Sequence, residues 1–210
     1  MIHHQYISFH KQCSRSIRFY MGKIYLLLDN IRSVHNVGSI FRTAECAGVS
    51  KIYCVGTTPV PIDRFGRKRK DFAKVSLGAE DMVSWEHLDE NKVGTKIKQL
   101  KKSRFEVVAV EQTKNSVDWE TFKKGFGSGS ASNCKKVVEE NLLENVEKSK
   151  VIPAKTKAVL YIFGNEVDGV SQKLLKLVDV AVEIPMKGKK ESLNVAVTVG
   201  VVLFRCDTRD

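Results

Sequence analysis

Arg42 sits in the stretch HNVGSIFRTA, residues 35 to 44, at a place where a helix gains little from a cation. With Asn36 taken as N-cap, Val37, Ile40, Phe41, Ala44 and Ala47 form an apolar stripe at helical spacing, and Arg42 falls off it. Helical side chains lean toward the N-terminus, so Arg42 is expected to lie over Gly38, which has no Cβ, near the unpaired N–H groups of the first turn. A cation there opposes the helix dipole, whereas an anion bound between the two is favoured by both. Two readings stay open on these residues alone: a cation that holds an anion, or a salt bridge to Glu45 or another surface carboxylate.

Two further stretches carry polar groups where ligands bind. In AVLYIFGNEVDGVS, residues 158 to 171, an apolar run ends in Gly164-Asn165-Glu166. Open α/β sheets place their ligands at such strand ends. Gly164, Gly169 and a Ser171 helix cap account for a turn there, but not for Glu166. In VEIPMKGKKESLNVAVTVGVVLF, residues 182 to 204, a strand stops at Pro185, a polar loop follows, and an apolar segment begins behind Ser192-Leu193-Asn194. Ser192 is a possible helix cap, yet the Val and Thr residues after it favour strand, so propensity leaves this segment undecided.

Other patterns point away from chemistry. Cys13, Cys46, Cys54, Cys134 and Cys206 show no C-x-x-C spacing, which suggests reduced thiols in a cytosolic protein. His35 and His87 have no partners at ligand spacing and His3, His4 and His10 lie near the start, so no metal is expected. GFGSGS places Gly125, Gly127 and Gly129 after TFKK rather than after a buried strand, so it reads as a flexible linker and not a dinucleotide fingerprint. The loop GTTPVPIDRFGRKRKDF, residues 56 to 72, ends in Arg64, Arg67, Lys68, Arg69 and Lys70. Several cations on a flexible stretch suit RNA phosphates without reading bases, although a solvated loop would look the same.

The elements that must position these residues alternate. The runs at 23–28, 51–56, 105–110, 158–163 and 178–184 read as strands, most of them apolar throughout, as strands covered on both faces are. Residues 37–47, 91–102 and 170–177 carry helical spacing between them. The order predicts an α/β fold, a mostly parallel sheet flanked by helices. Residues 123–150 look like an insertion, and no internal repeat is visible.

The chain has 210 residues, 42% hydrophobic, enough for one domain at 23–210. With 35 Lys and Arg against 24 Asp and Glu, a net charge of +11 favours polyanionic partners. No apolar run reaches the roughly 18 residues of a membrane span. Residues 1–22 hold Lys11, Arg15 and Arg18 and no acid, and read as a disordered or targeting extension, with Met1 and Met21 both possible starts. The rest suits the cytoplasm, with organellar targeting left open.

Taken together, NVGSIFRTA, FGNEVDGVS and IPMKGKKESLNVAV resemble the three motifs, in order, of the SpoU (TrmH-like) branch of the SPOUT superfamily of RNA methyltransferases. The resemblance spans roughly residues 24 to 205, omitting the extension and the insertion. It implies transfer of a methyl group from S-adenosylmethionine to a ribose 2′-hydroxyl of tRNA or rRNA, by a homodimer. It also implies a C-terminal deep trefoil knot, against the general rarity of knots. The segment after Asn194 would then be a helix at the dimer interface.

The resemblance assigns cofactor contacts to Gly164, Ile184, Met186 and Leu193, with Glu111, Gln112 and Thr113 as further candidates. It assigns the chemistry to Asn36, Arg42, Glu166, Ser192 and Asn194. Arg42 is sometimes cast in such enzymes as a general base, but a guanidinium is practically never deprotonated in a protein. A fixed cation that holds a phosphate or a developing alkoxide serves the same end. The alternative is a knotted RNA-binding or ribosome-assembly protein that no longer methylates, which would need none of these five residues as a set.

Overall fold

The computed structural model describes residues 23–122 and 158–205. In chain order the elements are β1 (Lys23–Asp29), α1 (Val34–Cys46), β2 (Lys51–Val55), α2 (Lys70–Ser76), α3 (Ala79–Met82), β3 (Ser84–Leu88), α4 (Glu90–Lys102), β4 (Glu106–Val110), β5 (Val117–Asp118), β6 (Ala158–Phe163), α5 (Gln172–Leu175), β7 (Val180–Glu183) and α6 (Val195–Arg205). The strands form one sheet in the order β3-β2-β1-β6-β4-β7-β5, and every pairing is parallel. The extension at 1–22 and the insertion at 123–150 lie outside the described residues.

Helices cover both faces, which is why the central strands are apolar without alternation. Leu26 and Leu28 point to one side with Ile52 and Cys54, against Val37, Ile40 and Phe41 of α1 and Val199 and Val202 of α6. Leu27, Tyr53, Val107 and Leu160 point to the other, against Val93, Ile97 and Leu100 of α4 and Leu174 of α5. Leu26, Leu27 and Leu28 are all 0% exposed, each contributing about 1.5–3 kcal/mol.

The undecided segment is a helix. Val195, Val199, Val202 and Leu203 are buried at helical spacing, so packing against α1 overrides the β-branched propensity of α6. Its cap is Asn194 rather than Ser192: the Asn194 Oδ1 accepts from the Ala196 N–H at 2.9 Å.

Three sequence readings change. Helix α1 starts at Val34, and its cap is Ser33, whose Oγ accepts from the Asn36 N–H at 3.2 Å; Asn36 is therefore inside the first turn, free to point outward. Gly38 makes room for α2, not for Arg42, since a Cβ there would stand 2.9 Å from the Val75 Cβ. Lys70 and Phe72 belong to α2 rather than to a loop. The sequence reading also passed over β3, an edge strand whose Ser84-Trp85-Glu86-His87 is too polar to register, and β5, which has two residues.

Candidate active site at the strand ends

Parallel pairing brings the C-terminal ends of β1, β6, β4 and β7 side by side. Each is followed by one of the stretches singled out above. After β6 the chain folds back at once: Asn165 and Gly169 bridge, and the Asn165 Oδ1 accepts from the N–H groups of Val167 at 2.8 Å and Asp168 at 2.7 Å. Gly164 has to be glycine, because a Cβ there would stand 2.0 Å from the Gly169 carbonyl carbon. The turn is closed by Glu111 at the end of β4, whose Oε2 accepts from the Val170 N–H at 2.8 Å. Asp29, 3% exposed at the end of β1, accepts from the Ser171 N–H at 3.0 Å.

This turn holds Glu166 out toward α1, where three residues from three distant stretches meet. The Ala196 N–H donates to Asn194 Oδ1, Asn194 Nδ2 donates to Asn36 Oδ1 at 3.1 Å, and Asn36 Nδ2 donates to Glu166 Oε1 in a short hydrogen bond. One end of this chain can only donate and the other, a carboxylate, only accepts, so both amides have a single orientation. Each amide keeps a second N–H, and Glu166 keeps a second oxygen, for a ligand at this edge.

Arg42 is not part of the cluster. Six residues after Asn36, it points about 120° away around α1. It is exposed and makes no ion pair among the described residues, so the salt bridge to Glu45 does not form. Ser192 is exposed in the loop before α6.

The cofactor candidates border the same edge. No strand or helix covers residues 184–194, where Ile184 and Met186 are half-buried and Leu193 is 41% exposed. Gln112 ties this loop to β4 by donating from Nε2 to the Glu191 carbonyl at 2.9 Å. Thr113 begins a turn stapled through Ser116, whose Oγ donates to Glu183 Oε2 at 2.8 Å. The Glu111 carboxylate is already engaged by backbone N–H groups, which makes it an anchor for the 164–170 turn. Asp29 was missed in the sequence, although an acid closing the apolar run KIYLLLD was an available signal, and Asn165, noted there only as a polar residue at the strand end, braces the turn.

Of the five cations at positions 64–70, three are tied down. Arg67 pairs with Asp63 at 2.8 Å, Lys68 with Asp81 at 2.6 Å and Arg69 with Asp71 at 2.7 Å. Backbone N–H donation from Arg67, helped by its guanidinium and the Phe65 N–H, holds the Asp63 carboxyl below its ordinary value. Arg64 and Lys70 have no carboxylate partner among the described residues.

A parallel sheet covered by helices on both faces defines an α/β domain of the kind that binds ligands at its strand ends, and here amides and a carboxylate stand there rather than a glycine-rich phosphate turn. The SpoU rRNA Methylase family model matches residues 23–204, and the chain belongs to that family. The chain is 26% identical to the tRNA (guanosine(18)-2'-O)-methyltransferase of Aquifex aeolicus over 181 residues, 86% of this chain and 67% of that protein. It is 24% identical to the 23S rRNA (guanosine-2'-O-)-methyltransferase RlmB of Neisseria meningitidis, covering 86% of this chain and 56% of that one. Among solved structures, the AdoMet-bound rRNA methyltransferase of Sinorhizobium meliloti superposes with a TM-score of 0.61 at 25% identity, over 89% of this chain and 56% of that one. The chain thus spans little more than half of several of these relatives.

Proposed function

We propose that the protein is an S-adenosylmethionine-dependent RNA methyltransferase acting on a ribose 2′-hydroxyl of tRNA or rRNA. The observation that carries this is the hydrogen-bonded meeting of Asn36, Glu166 and Asn194, one from each of the three motif stretches, at the strand ends of a SpoU family domain. The residues fit such a cofactor: Ile184, Met186 and Leu193 offer apolar surface to a purine beside backbone that no strand or helix uses, and Gly164 keeps the neighbouring turn tight.

S-adenosylmethionine supplies an electrophilic methyl group on sulfur. The work of the chain is to align the acceptor oxygen in line with it and to favour the charge that develops there. Asn36 and Asn194, with amide orientations fixed at both ends of their hydrogen-bond chain, aim their remaining N–H groups at the substrate side. Glu166 positions them, Ser192 contacts substrate or fixes its loop, and Arg42 holds a phosphate or the developing alkoxide as a permanent cation.

The finer architecture belongs to the same proposal. A trefoil knot is supported by the insertion of β7 between β4 and β5, after which residues 184–194 pass the end of β4 and α6 packs on α1. A homodimer is supported by the apolar residues Val197 and Phe204 of α6, 52% and 55% exposed and seven residues apart on one helix face. Among the described residues no helix is long and apolar enough to cross a membrane, and Cys46 and Cys54 are free, which fits the cytoplasm. The test is incubation with methyl-labelled S-adenosylmethionine and RNA: label should appear in RNA with the natural chain and not with Arg42→Ala. Equal incorporation by both would sink the assignment of Arg42, and none by the natural chain would sink the activity.

A further inference from the structure

The 62–68 loop presents an aromatic ring that the sequence reading passed over. Phe65 is 65% exposed, where a phenyl ring of that size is ordinarily buried. Two guanidiniums stand over it in cation–π contact, the Arg64 Cζ 4.7 Å and the Arg67 Cζ 5.0 Å from the ring centroid. The loop that carries it is stiff. Ile62 and Lys68 bridge in antiparallel fashion, the Asp63 N–H donates to the Arg67 carbonyl at 2.8 Å, and Asp63 Oδ1 accepts from the N–H groups of Phe65 at 2.8 Å and Arg67 at 3.0 Å. Gly66, at φ +77°, makes the reversal possible. Salt bridges from Lys68 to Asp81 and Arg69 to Asp71 fasten the base of the loop to α3 and α2.

We infer that Phe65, with Arg64 and Arg67 beside it, is a stacking platform for one unpaired nucleotide of the RNA substrate. The inference rests on the proposed RNA methyltransferase reading and deepens it from backbone contact to recognition of single-stranded RNA. A base takes the place of the Arg64 guanidinium over the ring, stacking without its edge being read, and the displaced guanidinium pairs with a flanking phosphate. Because the intraloop hydrogen bonds and salt bridges already order the loop, only the Arg64 side chain has to move on binding. Arg64, with no carboxylate partner among the described residues, is the cation left for a phosphate; Arg67 shares its charge with Asp63.

The test measures affinity of the full-length protein for a labelled unstructured RNA oligonucleotide and for an RNA duplex across a salt series. Phe65→Ala should weaken single-strand binding by about tenfold or more, with an unchanged slope against salt and unchanged duplex binding. Phe65→Trp should restore affinity, with its emission quenched on binding, and Phe65→Leu should not. Arg64→Ala should lower the salt slope by about 0.7. Natural affinity in Phe65→Ala, or full rescue by Leu, overturns the platform while leaving RNA binding standing. A natural chain that binds no RNA at any salt overturns both readings.

Discussion

The hydrogen-bond chain from Ala196 to Glu166 has a direction, and reversing it is a sharp test of the site. Asn194→Asp is nearly isosteric and keeps the cap on α6, because either carboxylate oxygen accepts from the Ala196 N–H. It removes the donor that Asn36 Oδ1 needs at 3.1 Å and sets an acceptor against an acceptor. Turning the Asn36 amide over only moves the conflict to Glu166. One hydrogen bond lost, with a repulsion weakened by solvent at this exposed site, amounts to about 1 kcal/mol. For a domain of this size that is a fall of about 2–4 °C in Tm. Glu166→Gln keeps an acceptor for Asn36 and should cost about 0.5 kcal/mol or less. The double variant can reverse both side-chain links while the Ala196 N–H still donates: the new side-chain amide at position 166 donates to Asn36 Oδ1, and Asn36 Nδ2 donates to the new carboxylate at position 194. It should be more stable than Asn194→Asp alone, with a coupling energy of about 1 kcal/mol in urea unfolding at fixed protein concentration. Additive losses, with coupling within about 0.3 kcal/mol of zero, would refute the directional chain.

Replacing Arg42 by Ala should abolish methyl transfer while leaving S-adenosylmethionine affinity within about twofold by calorimetry, since a fixed cation acts on the acceptor side; a matching loss of affinity would place Arg42 in the cofactor site. Gly38→Ala should cost about 1–3 kcal/mol in thermal unfolding, because Val75 stands 2.9 Å from the new methyl; no loss would mean that α2 moves freely against α1. Glu86 accepts from Lys51 and Lys96, which hold its carboxyl below its ordinary 4.5. A depressed pKa gives stability that is present above the unfolded value and lost as pH falls through the folded one. The deficit of Glu86→Gln, under about 1 kcal/mol for so exposed a pair, should therefore be present at neutral pH and fade below 4.5; a deficit that grows in acid would contradict the ion pairs.

Fold class was legible because the central strands are buried on both faces, and KIYLLLD, EVVAV and AVLYIF advertise that without help from their neighbours. The edge strands were not, since β3 is half polar and β5 has two residues. Helix α6 was undecidable locally: its valines favour a strand until the α1 face is there to bury them. The three site stretches were visible as motifs, but their meeting through Asn36 was not. Asn36 looked like a cap, and only Ser33 in that role frees its side chain for Glu166 and Asn194. In the basic loop, charge counting could not separate cations that grip the protein from those left for a ligand, because Asp81 lies thirteen residues beyond Lys68.

Ribose methylation itself is tested by nucleoside analysis of RNA treated with the pure protein. Total tRNA and rRNA lacking the modification would be incubated with S-adenosylmethionine, digested to nucleosides and resolved by mass spectrometry. The transferred methyl group should stay with the ribose fragment and confer alkali resistance on the adjoining phosphodiester. Methyl groups found on bases, or RNA returned unmodified by a protein that binds S-adenosylmethionine, would contradict the proposed activity.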